Sequence, residues 1–89
     1  MELDRFCTSL NTVDDVCTIA NKTMRLTHST RYTTDKSIVV DAAKIKCLDQ
    51  MYAPCTIEIE LTGGNETFIE LRNGAALHGS QVLISAPYA

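Results

Sequence analysis

Residues 12–24 read Thr12-Val13-Asp14-Asp15-Val16-Cys17-Thr18-Ile19-Ala20-Asn21-Lys22-Thr23-Met24. Val13, Val16, Cys17, Ala20 and Met24 fall at i, i+3, i+4, i+7 and i+11, one stripe of an amphipathic helix. Asp14, Asp15, Thr18, Asn21 and Lys22 supply the opposite face. Thr12 suits an N-cap, Asp15 three positions on completes a weak capping box, and two carboxylates in the first turn match the positive end of a helix dipole. The spacing predicts a helix over 12–24.

Outward from this segment the pattern changes. Leu3–Leu10 is short and mixed, with Phe6, Cys7 and Thr8 favouring a strand. Leu26–Thr34 is Thr-rich and carries no helical stripe, Thr34-Asp35-Lys36-Ser37 suits a turn, and Ser37-Ile38-Val39-Val40 is a β-branched strand. These two runs are expected to form a hairpin. A second helix is expected after Asp41, with Ala42, Ile45, Leu48 and Tyr52 on one face, ending by Ala53 because Pro54 disfavours helical geometry before it. Cys55-Thr56-Ile57-Glu58-Ile59-Glu60-Leu61 alternates strictly, the pattern of a half-buried strand with one wet face. Thr62-Gly63-Gly64-Asn65 is a turn in which Asn65 can cap the next segment. Residues 66–73 fit a helix or a strand, Gly74 fits a helix C-terminus, and the tail 76–89 is unassigned.

The expected order is β-α-β-β-α-β-α in a single domain over 1–89. That is an α/β (α+β) open-faced β-sandwich, an antiparallel four-stranded sheet with helices on one face. The sequence contains no internal repeat by this reading.

Composition bounds the function. Among 89 residues 45% are hydrophobic and 21% charged, which is ordinary for a folded domain, and the net charge is -3. No apolar run approaches the ~20 residues of a membrane-spanning helix. The polar start Met1-Glu2-Leu3-Asp4-Arg5 does not read as a secretory signal. No cluster of Lys or Arg stands out along the chain, so neither nucleic acid nor an anionic membrane is an expected partner.

Four cysteines at 7, 17, 47 and 55 form no C-x-x-C pair, which excludes the usual zinc and thioredoxin-like spacings. They fall at core-facing positions, where free Cys behaves as a small hydrophobe. Buried thiols in a reducing compartment are therefore expected. The alternative is a secreted two-disulfide framework, for which Asn21-Lys22-Thr23 and Asn65-Glu66-Thr67 supply formal glycosylation sequons.

Ser37-Ile38-Val39-Val40-Asp41-Ala42-Ala43-Lys44-Ile45 resembles the strand-to-helix segment of the histidine-containing phosphocarrier family (HPr) of the bacterial sugar phosphotransferase system. Cys55–Leu61 with Thr62-Gly63-Gly64-Asn65 resembles that family's strand and turn before its last helix, and Leu10–Val16 its approach to the first helix. The resemblance spans about residues 2–75. It implies an HPr-like fold, a cytoplasmic bacterial protein, and work through contacts made around the first two helices. The family's phosphoacceptor His and its following Arg are missing, because the matching stretch holds Asn11, Thr12, Asp14 and Asp15. Two carboxylates there would repel phosphate. The family's regulatory Ser is matched by Lys44, which cannot accept a phosphoryl group in that way.

The resemblance therefore implies a protein-binding or regulatory module unable to carry phosphate. Its expected partner is another protein, such as a phosphotransferase-system component or a transcriptional regulator. A second expectation is a phosphocarrier using His28, which has Arg25 and Arg31 three residues to either side. A third is a secreted, disulfide-stapled binding domain. His78 lies in the unassigned tail. Glu58 and Glu60, about 7 Å apart on one strand face, read as the solvated side of a sheet rather than a catalytic pair. No catalytic constellation, cofactor site or metal site is readable, so no enzymatic activity is expected.

Overall fold

The computed structural model describes residues 2–48, 54–64 and 66–85. A short 3-10 helix, Leu3–Phe6, leads into ten strands: β1 (Ser9–Asn11), β2 (Val16–Ala20), β3 (Thr23–Leu26), β4 (Thr30–Thr34), β5 (Ser37–Asp41), β6 (Lys44–Cys47), β7 (Thr56–Leu61), β8 (Ile69–Arg72), β9 (Ala76–His78) and β10 (Gln81–Ser85). The described residues contain no α-helix. The expected α/β sandwich of HPr type is overturned.

The strand order gives the architecture. The sheets run β1-β2-β5-β8, β3-β6-β9 and β4-β7-β10, and every pair except β1 with β2 is parallel. From β2 onward, each sheet takes every third strand. The chain therefore winds through three sides before returning beside itself, giving three stacked coils of a parallel β-helix. From the first coil to the second, β2 and β3 pair with β5 and β6 at a constant offset of 21 residues. The molecule is thus a repeat that the sequence reading did not find.

Inside, side chains stack in columns. Cys17, Ile38 and Ile69 are register partners, as are Met24, Ile45 and Leu77, and Tyr32, Ile59 and Ile84, of which Ile84 is 48% exposed. Cys17, Ile19, Tyr32, Ile38, Val40, Ile45, Ile57 and Ile59 are fully buried. In most strands alternate residues point to solvent, whereas in β5 Ser37 and Val39 are buried as well. In β7 the expected faces are the observed ones: Ile57 and Ile59 are buried and Glu58 and Glu60 are partly exposed. What covers Ile57 and Ile59 is the other two sheets, not helices.

The predicted helix over 12–24 is a turn followed by β2, a corner and β3. The second predicted helix contains β6 instead, with Leu48 62% exposed, while its residues 49–53, including Tyr52, lie outside the described residues. The expected hairpin is absent as well: β4 and β5 belong to different sheets. Residues 69–72 are strand, and the unassigned tail supplies β9 and β10. The capping role of Asn65 lies outside the described residues.

The corner from β2 to β3 recurs from β5 to β6 and from β8 to β9. Its first residue is left-handed each time: Asn21 at φ 55°, Ala42 at φ 49° and Asn73 at φ 53°. Asn visits this region readily, whereas for Ala it costs ~1–2 kcal/mol. Asn73 Nδ2 also donates to Asp41 Oδ1 at 2.7 Å. The ladder continues through the corner, with Asn21 N–H donating to Asp41 C=O and Ala42 N–H to Arg72 C=O, both at 3.0 Å.

The first coil is closed by the N-terminal segment. Leu3 is fully buried, and Phe6 meets Tyr32 edge-on with ring centres 5.7 Å apart. Polar contacts hold this plug: Thr34 Oγ1 donates to Asp4 Oδ1 at 2.6 Å, and Lys36 Nζ reaches Asp4 at 3.1 Å and Asp35 at 2.9 Å. The cysteines are paired, not free. Cys7–Cys17 ties the plug to β2, and Cys47–Cys55 closes the excursion between β6 and β7, with Cα atoms 5.4 and 5.5 Å apart.

Truncating Ile57 to Ala should cost about 2–5 kcal/mol by leaving a cavity in the interior, whereas Glu58→Gln should change stability by no more than about 0.5 kcal/mol. Urea unfolding of both variants checks the inside–outside assignment of β7. The Lys36 clamp has a pH signature. Hydrogen bonds to Asp35 and Asp4 raise the Lys36 pKa above the ordinary lysine range, and the bond from Lys36 lowers the Asp35 pKa. The Asp35 contribution is present above the ordinary aspartate value of 3.8 and is lost as pH falls through its lowered value. That of Lys36 is present below the ordinary 10.5 and is lost as pH rises through its raised value. Lys36→Met should therefore lower the melting temperature at neutral pH. The gap to wild type should close on acidification below pH 3.8, and equal gaps at neutral and acid pH would refute the clamp.

Candidate functional site

The residues singled out in the sequence do not converge. Asn11 ends β1, and Thr12, Asp14 and Asp15 form the turn into β2. Asn11 Oδ1 accepts from the N–H groups of Val13 and Asp14, both at 3.0 Å, and Asn11 Nδ2 donates to Asp14 at 3.1 Å. With no helix start here, the row of free N–H groups that would cradle a phosphate does not exist. Asp14 and Asp15 line an acidic hollow with Asp35 and Glu66. His28 sits in an exposed bend between β3 and β4, not in a strand. Its flanking Arg25 and Arg31 lie in different sheets, so they do not form an anion site around it. Among the described residues no group of three or more His, Cys, Asp or Glu is arranged to hold a metal.

Lys44 is placed differently. It opens β6, exposed, on the outer face of the β3-β6-β9 sheet. Alternation fixes that face residue by residue. Met24, Leu26, Ile45, Cys47 and Leu77 pack into the interior, which leaves Thr23, Arg25, Lys44, Lys46, Ala76 and His78 pointing outward. The register then aligns them. Arg25 is opposite Lys46 and Lys46 is opposite His78, while Thr23, Lys44 and Ala76 make the second column. Strand spacing puts neighbours in a column ~4.8 Å apart and the two columns about 7 Å apart.

Charge on this face is one-sided. Of the eight Lys and Arg in the chain, Arg25, Lys44 and Lys46 stand here and Lys22 sits at the corner leading to it. Lys22 Nζ donates to Phe6 C=O at 2.6 Å, so its charge stays beside the N-terminal plug. None of these four cations has a carboxylate partner among the described residues. Elsewhere Arg31 is paired with Glu58 and Glu60, Lys36 with Asp4 and Asp35, and Arg72 with Glu70 at 2.8 Å, while Arg5 is in no ion pair among the described residues. Asn21, Lys22, Thr23, Arg25, Ala42, Lys44 and Lys46 line one shallow, open groove.

Sequence reasoning missed this face because its cations are scattered along the chain. A 21-residue offset joins Arg25 to Lys46, and that offset becomes visible only once the coil period is known. Compared with known proteins, the chain matches no family model, no curated protein and no solved structure. The basic face therefore stands on its geometry alone.

Like charges directly opposite on neighbouring strands are destabilising. Lys46→Thr removes the central member of the column and substitutes a good strand former. The variant should melt at or above the wild-type temperature at low salt, an advantage of up to about 1 kcal/mol. The advantage should shrink as salt screens the column. Thermal melts of both proteins at two ionic strengths check this. A salt-independent loss of stability would show that Lys46 is a packing residue.

Proposed function

We propose that this chain is a disulfide-stapled binding module of an oxidising compartment, and that its contact surface is the basic face of β3-β6-β9. The observation that carries the reading is the pairing of all four cysteines, each bridge at a place where the coil needs closing. Disulfides persist in secreted and extracytoplasmic proteins and are rare where thiols are kept reduced. The reading departs from the cytoplasmic expectation on that ground. No described helix is long and apolar enough to cross a membrane.

The phosphotransferase expectation keeps only its general half, a domain that acts by binding. Its specific half rested on a helix start at residues 11–15, which run from the end of a strand into a turn, and on Lys44 beginning a helix, where it begins a strand. A flat sheet face carrying unpaired cations suits a partner that supplies the missing negative charge.

The bridges are directly testable. Thiol titration of the denatured, unreduced protein should find no free thiol, and four after reduction. Reduction should also lower the melting temperature, since each native bridge contributes about 2–4 kcal/mol. Four free thiols before reduction, in protein prepared from an oxidising compartment, would overturn this reading.

A further inference from the structure

We infer that the basic face is a binding site for an extended acidic polysaccharide laid along the coil axis. The inference rests on the proposed working place in an oxidising compartment and gives that binding module its ligand. Three observations select the ligand class.

The first is shape. The face is built from three short parallel strands and its groove is shallow and open, so it offers length rather than enclosure. A small anion would remain mostly solvated there, whereas a chain can touch every coil.

The second is the charge pattern. Arg25 and Lys46 are neighbours at the strand spacing of ~4.8 Å, which is close to the length of one sugar residue in an extended glycan, and the imidazole of His78 continues the column as a hydrogen-bonding group. A polyuronate carries one carboxylate per residue. Lys44 in the adjacent column adds charge to one side of the path. The mutual repulsion of this column is relieved when an anionic chain lies over it.

The third is what the face lacks. Its outward side chains are Thr, Arg, Lys, Ala and His, with no Trp, Tyr or Phe among them. A single-stranded nucleic acid site uses aromatic platforms for the bases, and a protein interface centres on buried aromatic or apolar anchors. Hydroxyl-rich, charged glycans need neither. Thr23 and the exposed corner Asn21 are hydrogen-bonding groups beside the cations.

The test uses the oxidised full chain and polygalacturonate as probe, followed by calorimetry or fluorescence anisotropy of a labelled polymer. Polygalacturonate should bind, more weakly as salt rises. Galacturonate monomer and neutral dextran should bind at least ten-fold more weakly. The double variant Lys44→Glu with Lys46→Glu should lose at least ten-fold in affinity. Arg25→Gln, a single neutralisation that leaves the strand intact, should lose several-fold. Arg72→Gln, on another sheet, should bind as wild type.

Poly-glutamate and a single-stranded oligonucleotide complete the comparison. Equal binding of either would overturn the inference in favour of unselective polyanion exchange, and so would no binding of polygalacturonate or full binding by the double variant. Thiol titration of the same sample keeps the two proposals apart. Closed disulfides with no glycan binding sink the ligand and leave the stapled module standing, whereas free thiols sink the compartment on which the ligand depends.

Discussion

A strand cannot be joined to a parallel neighbour by a tight turn, because the chain ends one strand at the far side from where the next must begin. In this protein the return path is two further strands, so the connection is itself part of the structure. Once coil lies on coil in register, the inward residues of all three sides meet in columns such as Cys17-Ile38-Ile69 and Met24-Ile45-Leu77. The same register dictates which residues share the outer faces. The interior and the basic outer face are two outcomes of one alignment.

Magnitudes show which of the two sets the alignment. Burying an aliphatic side chain contributes about 1.5–3 kcal/mol, and Ile19, Ile38, Ile45, Ile57 and Ile59 are all fully buried. A like-charge neighbour across strands costs between a few tenths and about 1 kcal/mol. The interior wins by a wide margin, so a slip of one residue to separate Arg25 from Lys46 is not available. The outer face is thereby free to carry whatever charge a partner requires. The polar clamp of Asp4, Thr34 and Lys36 and the Phe6–Tyr32 contact close one end of this stack.

The strand Cys55–Leu61 was legible because its alternation runs uninterrupted and its faces are set by period two alone. The segment 12–24 was not, for a definite reason. One side of the coil plus its corner takes seven residues, so inward positions recur seven apart, as from Cys17 to Met24 and from Ile38 to Ile45. Seven residues are also close to two helical turns. Helical periodicity and coil periodicity coincide over this window, and only the β-branched residues Val16, Thr18 and Ile19 argue for the strand. The even cysteine count and the close sequence spacing within each pair were a usable signal, outweighed in the sequence by their core-facing positions. Core-facing and bridged prove compatible, because Cys17, Cys47 and Cys55 are buried and bonded at once. The basic face had no local signal, since proximity there is created by the coil offset.

The corners differ in what they allow. The corner entering the basic face has two, two and three residues in successive coils and begins each time with a left-handed residue. The corner leaving it varies from two to eight residues, and the one from the third side back to the first from two to seven. Extra chain is therefore admitted mainly downstream of the aligned columns. The near-constant corner acts as a reading frame: the one extra residue of the third coil is taken up within it, so that Ala76 still stands opposite Lys44. Length can drift elsewhere around the coil without moving Arg25, Lys46 and His78 out of line, so the outer face is insulated from the commonest kind of change a loop undergoes.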